Sequence, residues 1–227
     1  MILGGWRMLT QKTARPFSGW NVGFLPVLAA ALFGPLLAFR RLGPLDFWWA
    51  MSSCLAILVA LSLLTDGPYR DLLRQDLRRG VSKKIILGLT SALVLYLVFW
   101  AGGTISRAFL PFAAEGIDAV YAFRRDASVA RVILLIVLVI GPGEEIFWRG
   151  FIQRRWEDRL DFPAGWLLAS AFYALVHVGS RNIMLVLAAL VCGLFWGALY
   201  SRSRSVLLVA LSHTIWNLVV FVIFPLT

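Results

Sequence analysis

The sequence predicts an all-α protein: a polytopic integral-membrane helical bundle with about seven transmembrane helices. Composition, the length of the apolar runs and the placement of charge between them all point this way. Of 227 residues, 60% are hydrophobic and 15% charged, with a mean hydropathy of +0.80. Soluble domains are closer to half apolar and a quarter charged. A water-soluble fold of this size could not hide so much apolar surface. Disorder, a disulfide-stapled secreted domain and a free cytosolic enzyme are excluded as main readings. Cys54 and Cys192 both lie in apolar runs and form no CxxC pair.

A span needs about 20 apolar residues. Uncharged windows of that kind occur at 21–39, 47–65, 85–106, 162–180, 182–201 and 205–227. A seventh, 132–143, is cut short by Glu144 and Glu145, and its apolar pattern resumes across Arg149. It is read as one helix of roughly 130–155 that carries polar groups into the bilayer. The expected organisation is a single membrane domain, with spans and loops in 1–128 and a core in 129–227. No signal peptide is expected, because polar residues 1–20 precede the first run. Residues 68–84, with Leu72, Leu73 and Leu77 among basic residues, read equally as a surface-lying amphipathic helix or a solvated loop. Residues 104–128 are the longest connection on the other side and can fold over the bundle.

A net charge of +10 raises nucleic acid as a partner, but the basic residues sit between apolar runs, where they set topology and meet anionic headgroups. No nucleic-acid partner is expected. Fifteen basic residues fall on one side: Arg7, Lys12 and Arg15, six in 66–84, Arg149, Arg154, Arg155 and Arg159, and two in 202–204. Six fall on the other: Arg40, Arg41, Arg107, Arg124, Arg125 and Arg181. That asymmetry predicts a cytoplasmic N-terminus.

Ionisable groups within spans are costly and face partners or wet cavities. Both histidines of the chain, His177 and His213, are intramembrane, and Asn217 follows His213 by four residues. Glu145 and Arg149 are also i and i+4 and can pair, whereas Glu144 is turned by about 100° toward something else. Gly141-Pro142-Gly143 predicts a kink that makes room for water. At about 1.5 Å rise per residue, Glu144, His177, His213 and Asn217 fall within one slab roughly 10 Å thick. A carboxylate and a neutral imidazole sharing a water can deprotonate it, and a second imidazole with a carboxamide can hold an oxyanion. Ser170 and Ser212 are poorer candidates: each lies on a histidine-bearing helix, and no GxSxG elbow is present.

EEIFWR (144–149), YALVH (173–177) and HTIWN (213–217) resemble the EExxxR, FxxxH and HxxxN motifs of the CPBP intramembrane proteases, also called the Abi or CAAX prenyl protease 2 family. Order and placement on three spans match; Tyr173 departs from phenylalanine. The likeness covers roughly 130–220. It implies an intramembrane endopeptidase, with Glu144 and His177 activating water and His213 and Asn217 holding the oxyanion. Glu145 and Arg149 would support the site, and Tyr173, Trp148 and Trp216 would line the cavity. Its substrates would be membrane-associated proteins or peptides: prenylated C-terminal motifs, peptide precursors or C-terminal sorting anchors. The family is also described as metal-dependent. The water mechanism needs no cofactor; the alternative is zinc or another divalent metal held by Glu144, His177 and His213. A bacterial inner-membrane setting is expected of so short a chain. The competing functions are a proton-coupled transporter, since glutamates and histidines also build proton relays, and a non-catalytic scaffold or immunity protein. GLFWG (193–197) is read as close helix packing.

Overall fold

A computed structural model describes residues 20–124 and 127–226. The elements are α1 (Trp20–Phe39), a short hairpin pairing Arg41–Leu42 with Leu45–Asp46, α2 (Phe47–Thr65), α3 (Gly67–Asp76) and α4 (Val81–Phe109). They continue with α5 (Ala113–Arg124), α6 (Val129–Leu160), α7 (Phe162–Ser180), α8 (Ile183–Ser203) and α9 (Val206–Ile223). Polar caps set several of the starts by accepting otherwise unpaired N–H groups. Asp46 takes the amides of Trp48 and Trp49 in α2, Asp66 that of Tyr69 in α3, and Ser205 that of Leu208 in α9. Gly80, with φ of +60°, turns the chain into α4.

The all-helical membrane architecture is as expected; the described residues supply five to six candidate spans, so the count of seven is not established by them. By length and composition five described helices can cross a membrane: α2, α4, α7, α8 and α9. α5 and α6 taken together as one bent span would make six, and Gly23–Phe39 of α1 is shorter, at 17 residues or fewer. Large apolar side chains such as Leu64, Ile86, Trp100, Leu138 and Leu175 lie on the outer surface, as a lipid-facing bundle requires. Arg7, Lys12, Arg15 and Arg125, counted for topology, lie outside the described residues.

α6 is the central element, packed by α2, α7, α8 and α9. Phe147, Phe151, Ile152 and Arg149 are all at most 2% exposed. It runs a little further than the expected 130–155, and the kink foreseen at Gly141-Pro142-Gly143 is not there as a break. The helix instead widens into π turns on either side, over Ile136–Ile140 and Ile146–Gln153, so the proline is absorbed without ending it. The 68–84 stretch resolves into the surface helix α3 and a turn at Gly80. Gly193 of α8 faces Ser170 of α7, where a Cβ would lie 3.1 Å from the backbone, so close packing is what this glycine permits. α5 roofs one end of the bundle. Asn182 Nδ2 donates to the Gly116 carbonyl (2.7 Å), and Trp48 Nε1 to that of Phe123 (2.9 Å).

Candidate active site

Beneath α5 lies a cavity of about 350 Å³. Its walls are mostly apolar, and Glu144, Tyr173, His177, His213 and Asn217 reach it, with Trp216 beside them. Three helices supply these groups: Glu144 from α6, Tyr173 and His177 from α7, and His213, Trp216 and Asn217 from α9. All four residues expected to carry the chemistry therefore border one hollow.

Glu144 is buried, and the Tyr173 hydroxyl donates to its Oε2 at 2.6 Å. His177 stands where α7 tightens into its last 3-10 turn, and its Nδ1 lies 2.7 Å from the Tyr173 carbonyl. A carbonyl only accepts, so Nδ1 carries the proton and Nε2 of the neutral ring is a free acceptor. Glu144 keeps Oε1 free of Tyr173.

Glu145 faces the other way. Its Oε1 accepts from Arg149 at 3.0 Å and lies 2.7 Å from His213 Nδ1. The Arg149 guanidinium also reaches the Cys192 carbonyl at 3.3 Å and lies over the Tyr173 ring at 4.7 Å. The i, i+4 pairing of Glu145 with Arg149 was legible in the spacing; the contact with His213 was not. His213 is further held by Trp196 of α8, stacked on its ring at 3.8 Å. Trp196 donates to the Ser212 hydroxyl (3.2 Å), which also receives Ser91 of α4 (2.9 Å). Asn217 lies one turn beyond His213 and borders the same cavity.

Trp148 corrects an expectation. It is not among the residues lining this cavity but is buried against other rings, edge-on to Tyr173 at 5.2 Å and tilted against Phe33 at 6.0 Å, and these contacts hold it in the core. Trp216 does line the cavity. Trp196, Cys192 and Ser212 were missed as parts of the site. Trp196 sits inside GLFWG, and a tryptophan well within a span rather than at its end is the signal that could have found it. The two serines are engaged elsewhere: Ser170 donates to the Trp166 carbonyl of its own helix (2.9 Å), and Ser212 binds Ser91 and Trp196.

The three residues named for zinc do not form a gathered donor set. Both histidine Nδ1 atoms and Glu144 Oε2 are bonded to protein, which leaves Nε2 of each ring and Oε1 of Glu144 as the atoms that could face an ion. Among the described residues no three His, Cys, Asp or Glu side chains cluster at metal-binding distance. A structural zinc site needs four ligands and a catalytic one three, which this arrangement does not offer.

Such a cavity defines a class of protein: a helical membrane bundle with carboxylate, imidazole and carboxamide side chains gathered at a buried hollow. Residues 126–219 match the family model described as type II CAAX prenyl endopeptidase, Rce1-like. The segment that carries the three motifs is thus similar to the CPBP/CAAX protease family, a family of CAAX-type intramembrane endopeptidases. No curated protein and no solved structure matches the chain.

Proposed function

We propose that this protein cleaves a peptide bond of a membrane-anchored protein or peptide, using water activated by Glu144 and His177. The observation that carries the reading is that groups from three helices, two of them able to accept a water proton, meet at one apolar cavity. A water between Glu144 Oε1 and His177 Nε2 gives up a proton as its oxygen attacks the peptide carbonyl carbon. The carbonyl oxygen becomes an oxyanion, held by the Asn217 carboxamide and by His213. His213 donates from Nε2 when both ring nitrogens carry protons, and Glu145 Oε1 is the acceptor for the other one. The proton taken from water passes to the leaving nitrogen, the C–N bond breaks, and a carboxylate and an amine depart. No cofactor is required in this scheme.

The apolar walls fit a substrate whose cleavage site lies next to a hydrocarbon or strongly apolar segment, as in the prenylated C-terminal tails that give the matching family its description. The basic residues along α3 and its following turn, with Arg159, Arg202 and Arg204, favour a cytoplasmic side for that face and for the N-terminus. A bacterial inner membrane is the setting taken.

Purified protein in liposomes with a lipid-anchored peptide tests the reading. Mass spectrometry is expected to find two fragments that sum to the peptide plus one water. An intact peptide, together with proton flux across the same liposomes, would replace the protease with a transporter.

A further inference from the structure

We infer that Tyr173 is a positioning residue that holds both members of the water-activating pair, its hydroxyl fixing Glu144 and its backbone carbonyl fixing His177. The inference rests on the protease reading above. It starts from the one place where the chain departs from the matching family's motif: a tyrosine in YALVH where FxxxH has phenylalanine.

The hydroxyl donates to Glu144 Oε2 at 2.6 Å, within the short range typical of O–H to carboxylate bonds. The carbonyl of the same residue accepts from His177 Nδ1 at 2.7 Å. The two grips face different helices: the first reaches across from α7 to α6, and the second closes one turn within α7. Tyr173 itself cannot swing away. It is 6% exposed, Trp148 meets its ring edge-on at 5.2 Å, and the Arg149 guanidinium lies 4.7 Å from its centroid. A glutamate with one oxygen tied loses most of its side-chain freedom. What remains for water is Oε1 of Glu144 and Nε2 of His177, on two residues that line the cavity. Reacting groups held in place before substrate arrives raise the rate of the chemical step rather than the affinity for substrate.

Tyr173→Phe removes the hydroxyl and keeps the ring and the carbonyl, so the Glu144 grip is lost and the His177 grip persists. With the purified protein and the lipid-anchored peptide, kcat is expected to fall about tenfold, the usual consequence of losing one hydrogen bond to a charged group. KM should stay within about twofold, because no substrate contact is removed. Thermal unfolding should move little. Ser170→Ala, which deletes a hydroxyl one turn earlier on the same helix where it binds only its own backbone, should keep wild-type kcat. Glu144→Gln separates the two levels of the argument. An inactive Glu144→Gln beside a Tyr173→Phe variant with wild-type kcat overturns the positioning role alone. So does a Tyr173→Phe variant whose KM rises in step with its loss of rate, since that marks a substrate contact. A fully active Glu144→Gln removes the protease chemistry, and the positioning role with it.

Discussion

Glu145 is fully buried, with Arg149 and His213 on the same oxygen. Burial makes such an arrangement sensitive to losing one partner, because a charge left alone in a low-dielectric interior costs more than the pair contributed. Arg149→Ala is therefore expected to lower stability in detergent by about 3–5 kcal/mol, read by denaturant or thermal unfolding. The double variant Glu145→Gln with Arg149→Met should recover much of that loss; equal loss in both would contradict the ion-pair account. The spacing of Glu145 and Arg149 disclosed their pairing because i and i+4 share a helix face. It could not disclose that His213, 68 residues away, completes the set, nor that the Tyr173 hydroxyl ends on Glu144. Sequence distance carries no information about which faces of separate helices meet.

The π turns of α6 have their own support from outside the motifs. Tyr69 of the surface helix α3 donates its hydroxyl to the Ile146 carbonyl at 2.7 Å, at the first residue of the second π turn. Burial pushes the Tyr69 phenol well above its ordinary pKa, so it remains a donor across the working range. α3 is itself pinned, since Asp66 caps it and pairs with both Arg154 and Arg155 of α6. Gly150 is where the tyrosine needs space: a Cβ there would collide with its hydroxyl and ring. Gly150→Ala is expected to destabilise by about 1–3 kcal/mol through overpacking. Tyr69→Phe should cost about 1 kcal/mol by removing the hydrogen bond to a part-buried carbonyl. Because the clash is partly with the hydroxyl, Gly150→Ala should cost less in the Tyr69→Phe background, which a double-mutant cycle of unfolding energies reads directly. Strict additivity would deny that the two side chains meet. Gly-Pro-Gly announced an irregularity in α6 but not its form, because composition does not say whether a helix accommodates proline by breaking or by shifting its hydrogen-bond register. The latch from Tyr69 lay beyond reach for a similar reason: amphipathicity placed α3 on a surface without saying which helix it grips.

The bundle as a whole was legible from hydropathy, since apolar runs of span length read the same in sequence and in structure. The exact number of spans was not. α6 mixes ionisable and apolar residues along one continuous helix, and whether it counts as a span depends on how its bend against α5 is taken. Neither property of the folded bundle follows from a hydropathy window. That the four polar groups share a cavity was anticipated from depth, a one-dimensional quantity that helical rise fixes well. Their tautomers and partners needed three dimensions. The donor set also bears on metal dependence. Peptide cleavage is expected to withstand a chelator at millimolar concentration, and added zinc should not raise the rate. Loss on chelation with recovery by zinc would contradict the metal-free scheme. The most direct test is the rate of peptide cleavage by purified Glu144→Gln and His177→Ala variants shown to unfold at the wild-type temperature. Removing a general base from a preorganised site costs about 10²–10⁴-fold, so each variant should lose at least a hundredfold in kcat. Cleavage by either variant at the wild-type rate would mean that water is activated somewhere else.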